Sequence, residues 1–139
     1  MQPIVIEVPG KAMGKQRPRA TRQGRVYTPK ETINAEAWVR SCAVAALKDQ
    51  TNAAPFQGPL EVGVTVVMGV PASWSKRRTT EALEGLAMPI GKPDLDNIIK
   101  LYSDALNGIV WKDDSQIVRL KASKAYGAVP KVIVTVEAV

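Results

Sequence analysis

The sequence has no histidine and a single cysteine, Cys42, among its 139 residues. One cysteine cannot form an internal disulfide, which is typical of proteins in a reducing compartment. Without histidine, a serine or cysteine nucleophile would lack its usual base. The chain also has no glycine-rich loop of the P-loop type for binding a nucleotide phosphate. Acidic residues are therefore the main candidates for site chemistry.

Long hydrophobic runs are missing as well. No stretch approaches the roughly 18 apolar residues of a membrane helix. The first ten residues, MQPIVIEVPG, contain only a short apolar run and lack the basic leader of a signal peptide. The composition, with 45% hydrophobic and 23% charged residues, is that of an ordinary globular protein. We therefore expect a cytoplasmic protein without a membrane segment, in which residues 1–139 form one domain.

Positive charge is concentrated in one segment. The formal net charge is +6, from 19 basic and 13 acidic residues. Residues 11–30 hold seven of the basic residues and no acidic one, so the rest of the chain is close to neutral. Local basic charge is typical of a surface that binds a polyanion, and a solvated basic loop has the same composition. The candidate residues for binding a polyanion such as nucleic acid, here and in a second basic cluster, are Lys15, Arg17, Arg19, Arg22, Arg25, Lys76, Arg77 and Arg78.

Hydrophobic periodicity predicts seven elements. Alternating apolar residues predict strands at residues 3–8 and 60–66. Helix start and stop residues predict helices over about 28–48, about 73–85, and from just after Pro93 to Asn107. The segments QIVRLKAS and KVIVTVEA alternate on either side of YGAVP and predict an antiparallel hairpin. The resulting order, β-α-β-α-α-β-β, indicates a two-layer α+β domain in which a small mixed sheet packs against helices.

The predicted helices also indicate which residues are buried. In the first helix, Thr28 and Glu31 form a predicted capping box, and the residues expected to be buried are Ile33, Ala37, Val44 and Leu47. In the third helix, the expected buried stripe is Ile98, Leu101, Tyr102, Ala105 and Leu106. Trp38 and Trp111 are expected in the core.

Two aspartates, Asp94 and Asp96, stand two residues apart in the segment GKPDLDN. Residues two apart in an extended segment point to the same side, so both carboxylates can converge on one ion. The alternative is structural, because aspartate is a favoured N-cap and gains about 0.3–1 kcal/mol from the helix dipole. One aspartate satisfies that alternative, whereas two are permitted by it but not required.

Other charged residues lie on or after the same predicted helix. Asp96, Lys100 and Asp104 are spaced by four and share a helix face, so Lys100 is either a surface ion-pair residue or a cation that meets a phosphate. Asp113 and Asp114 lie in WKDDSQ, before the next strand. Two carboxylates about 4 Å apart repel by roughly 4 kcal/mol, so a cluster of them predicts a divalent cation. Oxygen ligands favour Mg²⁺ or Mn²⁺ over zinc, but the spacing leaves open whether these residues cluster.

The segment KPDLDNIIKLYSDALNGIVWKDDSQI resembles the RusA-like Holliday junction resolvases, the crossover junction endodeoxyribonucleases of bacteria and their phages. The shared features are the D-L-D-N pair, a lysine four residues after its second aspartate, DALNG, and an acidic pair before SQI. The resemblance is strongest over residues 91–118. It extends more loosely to GKQRPR, GRVYTP and PASWSKRR, which are similar to the phage-type members.

This resemblance implies a small α+β homodimer that cuts branched DNA with Mg²⁺, or with Mn²⁺ as an alternative ion. By position, it implies that Asp94, Asp96 and Asp114 are catalytic residues that bind the metal, and that Lys100 is the catalytic lysine. Asp113 precedes the matched position and is a weaker candidate. The basic segment, residues 11–30, is longer and more charged than the minimal family pattern, which bears on substrate preference.

The resulting hypothesis is a magnesium-dependent endonuclease that resolves four-way DNA junctions by phosphodiester hydrolysis in recombination and repair. The two-fold symmetry of a homodimer would present two active sites to one junction. One alternative is a DNA-binding module without catalysis, whose aspartates act as caps and ion-pair partners. Another is a metal-dependent nuclease that acts on flaps or other branched DNA.

Overall fold

A computed structural model describes residues 2–139 of the chain. In chain order its elements are β1 (Ile4–Pro9), β2 (Arg19–Ala20), β3 (Val26–Tyr27), α1 (Lys30–Gln50), β4 (Leu60–Gly69), α2 (Lys76–Leu83), α3 (Leu95–Leu106), the 3-10 turn Asp114–Gln116, β5 (Ile117–Gly127) and β6 (Lys131–Ala138). The predicted α+β class and element order are confirmed, and the short ribbon of β2 and β3 is an addition to them.

The four long strands form one mixed sheet in the order β1-β6-β4-β5. β6 runs antiparallel to β1 and β4, whereas β5 runs parallel to β4. Alternate residues of the first three strands in that order are buried and form the core with residues of α1 and α3. The helices thus cover one face of the sheet. The buried strand residues are Ile4, Ile6, Val8, Leu60, Val62, Val64, Val66, Val132, Val134 and Val136.

The expected hairpin of the last two strands is wrong, because β4 lies between β5 and β6. Residues 128–130 cross the end of β4, where a Cβ at Gly69 would lie 3.6 Å from Pro130. Strands two positions apart in a sheet are about 10 Å apart, a span that a three-residue link can cover. β5 carries Arg119 and Lys121 at the edge of the sheet, where charged residues are typical. Alternation predicts that two strands exist but not which neighbours they pair with.

The start and the buried face of α1 also differ from the prediction. The helix begins after Pro29, which makes no side-chain capping bond, so the capping box of Thr28 and Glu31 is wrong. The residues that α1 buries are Thr32, Glu36, Val39, Ala43 and Leu47, of which only the last was expected. The expected residues Ile33, Ala37 and Val44 are exposed instead.

Contacts with the preceding loop explain why α1 buries a different face from the predicted one. Glu36 accepts a hydrogen bond from Lys15 at 2.7 Å, and the hydroxyl of Thr32 donates one to the side chain of Gln16 at 3.2 Å. These contacts bury two polar positions that a hydrophobic pattern assigns to the surface. Trp38 is consequently 52% exposed rather than in the core, and its indole N–H donates to the carbonyl of Pro9.

The second and third helices begin and end where predicted. The Ser75 side chain caps α2 by accepting a hydrogen bond from the amide of Arg78. α3 begins after Pro93 and ends before Asn107, and its buried residues are the predicted stripe. Trp111 lies in the core as predicted, with 1% of its surface exposed. Within residues 2–139, none of the helices combines the length and the apolar composition that crossing a membrane requires.

Candidate active site

Asp94 and Asp96 are exposed at the start of α3. Asp94 is the N-cap residue by backbone position, but its side chain makes no capping hydrogen bond. None of the ion pairs among residues 2–139 includes Asp94, Asp96 or Lys100. Asp94 and Asp96 keep their favourable positions at the start of a helix, but within the described part of the chain neither they nor Lys100 is held in an ion pair, so all three can meet a ligand from solvent.

The segment before Asp94 is fixed from two sides. The ammonium group of Lys124, on β5, donates to the carbonyls of Gly91 at 2.8 Å and Pro93 at 3.3 Å. On the other side, the amide of Lys15 donates to the carbonyl of Asn97 at 2.9 Å. These contacts hold the start of α3 between the edge of the sheet and the loop of residues 11–16.

A cleft of about 540 Å³ opens beside Asp94. One wall is the loop of residues 11–16, and the other is the segment of residues 92–97. Lys11 and Lys92 contribute exposed ammonium groups to it, so basic and acidic side chains lie in one cleft. Such a mixture is suited to a phosphate group that approaches a carboxylate-bound cation.

Asp113 and Asp114 form the second acidic group, in the turn before β5, and Gln116 anchors that turn. The Gln116 side chain accepts from the amide of Asp113 at 2.9 Å and donates to the carbonyls of Phe56 at 2.9 Å and Gly58 at 3.0 Å. The turn is thereby attached to the segment that leads into β4. Sequence reasoning missed Gln116, because its three partners include residues about 60 positions earlier in the chain.

The two carboxyl groups of the turn, Asp113 and Asp114, shift each other's pKa in opposite directions. Hydrogen bonds from Ser115 and then from Asp114 lower the pKa of Asp113. Burial raises the pKa of Asp114, and so do its hydrogen bond to Asp113 and the negative charges of Asp113 and Asp104. Asp104 is therefore the carboxylate of α3 that lies near Asp114, which places the acidic turn beside the C-terminal half of that helix.

The start of α3 and the acidic turn are consequently far apart. Asp94 and Asp104 are ten residues apart on α3, about 15 Å along a helix axis. β5 also separates the two groups, because Lys124 lies near the first group and Ile117 follows the second, and these residues are about 23 Å apart along a strand. Within residues 2–139, no three acidic or cysteine side chains are close enough to hold a metal ion. The expectation that Asp94, Asp96 and Asp114 gather is not met within one chain.

Lys15, a candidate DNA-binding residue, forms ion pairs with residues of the same chain. Its ammonium group lies 2.7 Å from Glu36 Oε1 and 3.2 Å from Asp104 Oδ2. Burial alone lowers the pKa of Lys15, but the hydrogen bonds and charges of Glu36 and Asp104 outweigh burial and raise that pKa above its usual value. No sequence pattern indicates a special function for Glu36, which the helical repeat places among the surface acids.

The other candidate DNA-binding residues are exposed. Those of the first segment, Arg17, Arg19, Arg22 and Arg25, lie on and around the β2–β3 ribbon, where Gly24 adopts φ +79° in the turn. In the second cluster, Lys76 is exposed, Arg77 pairs with Glu81 at 3.2 Å, and the guanidinium of Arg78 lies 3.7 Å from the ring centroid of Trp74. The arginines of the ribbon are thus available to phosphates.

An apolar groove of about 260 Å³ lies between α3 and β5. Ile99, Ser103 and Leu120 line it, and Asp114 stands at its rim. The buried indole N–H of Trp111, in the groove wall, has no hydrogen-bond partner among residues 2–139. The groove therefore lies along the middle and C-terminal part of α3, on the side of the acidic turn.

Comparison with known proteins agrees with these features. The model of the family described as endodeoxyribonuclease RusA matches residues 9–137. The chain is also 34% identical over 142 residues to the uncharacterized protein YqaN of Bacillus subtilis (strain 168), an alignment that covers 100% of this chain and 99% of that protein. The match spans both acidic groups, Lys100 and the basic segments. The chain therefore belongs to the RusA endodeoxyribonuclease family.

Proposed function

We propose that this protein is a magnesium-dependent, structure-specific endonuclease that resolves four-way DNA junctions by phosphodiester hydrolysis in recombination and repair. It acts in the cytoplasm as a homodimer, with residues 1–139 as one catalytic domain. Membership of the RusA family supports a nuclease that acts on DNA. The observation that carries the proposal is that the exposed carboxylates of Asp94 and Asp96 join no ion pair among residues 2–139, and that Asp94 makes no capping hydrogen bond.

The proposed functions of the side chains follow from their positions. Asp94 and Asp96, with Asp114, are the metal-binding carboxylates, and their oxygens suit Mg²⁺ or Mn²⁺. Lys100 is one helical turn from Asp96 and stabilises negative charge on the phosphate that is cut. One chain alone does not assemble these three carboxylates, so a complete site requires more than a single protomer.

DNA is proposed to bind through its phosphate backbone. The exposed arginines of the ribbon and the basic start of α2 contact phosphates, which gives affinity with little dependence on base sequence. Lys15 does not contact phosphates directly, because its ammonium group forms ion pairs with Glu36 and Asp104. It contributes to DNA binding by holding the loop that carries the basic segment. The exposed candidates for direct phosphate contact are Arg17, Arg19, Arg22, Arg25, Lys76, Arg77 and Arg78.

Cleavage of synthetic substrates tests this function. A four-way junction, a flap and a plain duplex are compared in the presence of Mg²⁺, and the junction is expected to be cut fastest. Asp94→Asn is expected to abolish cleavage while junction binding survives. Stability should stay equal or rise, because Asp94 makes no capping bond that the change would break.

Asp49→Asn is the matched control, since Asp49 is an exposed aspartate near the end of α1. It should cut junctions as the unmodified protein does. Equal cleavage of flaps would favour a broader branched-DNA nuclease. Binding without any cleavage would favour a non-catalytic DNA-binding module and reject the proposed reaction.

A further inference from the structure

The connection between α2 and α3 exposes three large apolar side chains. Leu86 leaves 74% of its surface exposed, Met88 58% and Ile90 96%. They alternate with Ala87, which is half-buried, and Pro89, which is buried. An ordinary surface segment with this alternation turns polar residues outward, whereas here the outward residues are apolar. These three residues, the apolar ridge, are therefore typical of a surface that binds a partner.

The ridge begins at a well-defined helix end. The amide of Leu86 donates to the carbonyl of Glu81 at 2.9 Å, and the amide of Gly85 donates to the carbonyl of Ala82 at 3.2 Å. With Gly85 at φ +81°, these are the two hydrogen bonds of a Schellman motif. The residue in the position of Leu86 usually packs back on an apolar residue of the last helical turn, but the matching positions here are Thr80 and Glu81. Leu86 consequently stays in solvent.

The ridge leads directly into the candidate active site. Ile90 is four residues before Asp94, which limits the separation of their Cα atoms to about 14 Å, or about four base steps of a duplex. Between them, the carbonyl of Gly91 accepts a hydrogen bond from the ammonium group of Lys124 at 2.8 Å, and Lys92 lines the cleft beside Asp94. DNA whose phosphate lies at Asp94 would therefore have nearby bases within reach of the ridge.

We propose that the apolar ridge is a wedge that inserts between bases at the branch point of the DNA substrate and so restricts the reaction to branched DNA. This inference rests on the proposed nuclease function and adds the residues that select its substrate. Leucine, isoleucine and methionine are among the side chains that proteins insert between base steps. Insertion requires unstacking, which is easiest where bases are already unpaired, so the ridge gains its contacts at a branch point and not in an intact duplex.

The charges around the ridge favour DNA over a protein as its partner. The segment from Lys76 to Lys92 holds four basic and two acidic residues, and one of the acids, Glu81, is paired with Arg77. A surface that combines apolar side chains with surrounding positive charge matches both the faces of the bases and the phosphate backbone. Protein–protein interfaces, in contrast, are depleted in lysine.

Binding without divalent cations tests the wedge independently of cleavage. The probe is a four-way junction with 2-aminopurine next to the branch point, whose fluorescence rises when the base is unstacked. The unmodified protein should raise this fluorescence and bind the junction more tightly than a duplex of the same sequence. The variant with Leu86→Ser, Met88→Ser and Ile90→Ser should lose the rise, and its junction affinity should fall about tenfold. Its duplex affinity and salt dependence should not change, because the phosphate contacts remain.

Two further variants separate a wedge from a general effect of substitution. Ile90→Met keeps a large apolar side chain and should retain the fluorescence rise. Val44→Ser is the matched control, because Val44 is 49% exposed on α1 and lies beside Ile109, which follows the C-terminal end of α3. It should bind the junction as the unmodified protein does. Circular dichroism and light scattering should show the same fold and the same oligomeric state for all variants.

Three results would overturn the proposal. One is a triple serine variant that keeps the fluorescence rise and the preference for junctions. Another is an equal loss of junction and duplex affinity, which would assign the ridge to general DNA binding. The third is a change of oligomeric state in the triple variant, which would make the ridge a contact between protein chains. If the unmodified protein unstacks the junction as expected but cuts no DNA with Mg²⁺, the proposed function fails and the wedge stands.

Discussion

The ammonium nitrogen of Lys15 lies 2.7 Å from Oε1 of Glu36, and this ion pair joins the loop of residues 11–16 to the inner face of α1. The Glu36 side chain is only 10% exposed, so water cannot fully solvate its charge. Asp104 on α3 accepts from the same ammonium group at 3.2 Å. One lysine therefore connects three elements around the candidate site.

Lys15→Met is expected to lower the free energy of unfolding by about 1–3 kcal/mol, because among the described residues the mostly buried Glu36 carboxylate then keeps only Arg40, at 3.6 Å, as a cationic partner. Urea denaturation measures the change. Arg77→Met is the matched control, since the Arg77 side chain is 91% exposed in its pair with Glu81 and the loss should stay below about 1 kcal/mol. Equal losses in the two variants would contradict a structural ion pair at Lys15.

Periodicity predicted most of the elements because local sequence determines them. α3 shows this best, since Pro93 and Asn107 bound it and its five buried residues follow the helical repeat. α1 shows the limit, because the ion pair with Lys15 buries Glu36 and rotates the helix away from the apolar stripe that begins at Ile33. A contact across 21 residues leaves no trace in the helical repeat.

The sequence predicted which residues belong to the candidate site better than it predicted how those residues are arranged in space. The D-L-D-N segment placed Asp94 and Asp96 correctly at a helix start, and their exposed, uncapped side chains agree with a binding function. The length of α3 then sets Asp114 at the other end of the helix. Spacing along a chain does not show which ends of two elements meet, and it carries no information on the symmetry between two copies.

Tyr102 provides a pH-dependent test of the core beside the groove. Burial, and to a smaller degree the charge of Cys42, raises the pKa of Tyr102 from 10.0 to about 12. Between these values the folded protein keeps the phenol proton that the unfolded chain has lost. The folded state therefore binds more protons, and the free energy of unfolding falls as the pH rises through this window.

Tyr102→Phe should remove the contribution of Tyr102 to that fall, about 3 kcal/mol by the upper end of the window, whereas Lys15 and Cys42, whose pKa values are also raised, keep theirs. Urea denaturation at pH values below and within the window measures it, and the difference absorbance of the phenolate reports the ionisation itself. Tyr27→Phe, on the exposed β3 strand, is the control and should keep the slope. A slope in Tyr102→Phe as steep as that of the unmodified protein would show that Tyr102 does not contribute to the alkaline loss.

Gln116→Ala is expected to loosen the acidic turn. The side chain makes three hydrogen bonds, to Asp113, Phe56 and Gly58, so their loss should lower the free energy of unfolding by about 1–3 kcal/mol. Hydrogen exchange at the Asp113 amide should accelerate, because that amide loses its acceptor. Gln23→Ala, in the exposed turn of the ribbon, should change neither quantity. Unchanged exchange at Asp113 would show that Gln116 does not hold the turn.

Salt dependence tests whether the ribbon binds phosphates. Arg17, Arg19, Arg22 and Arg25 are exposed and belong to none of the ion pairs among residues 2–139, so each can replace a counterion on DNA. Each phosphate contact contributes about 0.9 to the slope of log affinity against log salt on duplex DNA. Changing all four to glutamine should therefore reduce the slope by up to about 3 or 4.

Lys48→Gln is the control for this measurement, because Lys48 is an exposed lysine in the last turn of α1, away from the ribbon. It should leave the slope unchanged while altering the net charge in the same direction. Fluorescence anisotropy with a four-way junction at several salt concentrations gives both slopes. If the four-arginine variant keeps the original slope, the ribbon does not contact phosphates, and the basic start of α2 must supply the DNA contacts instead.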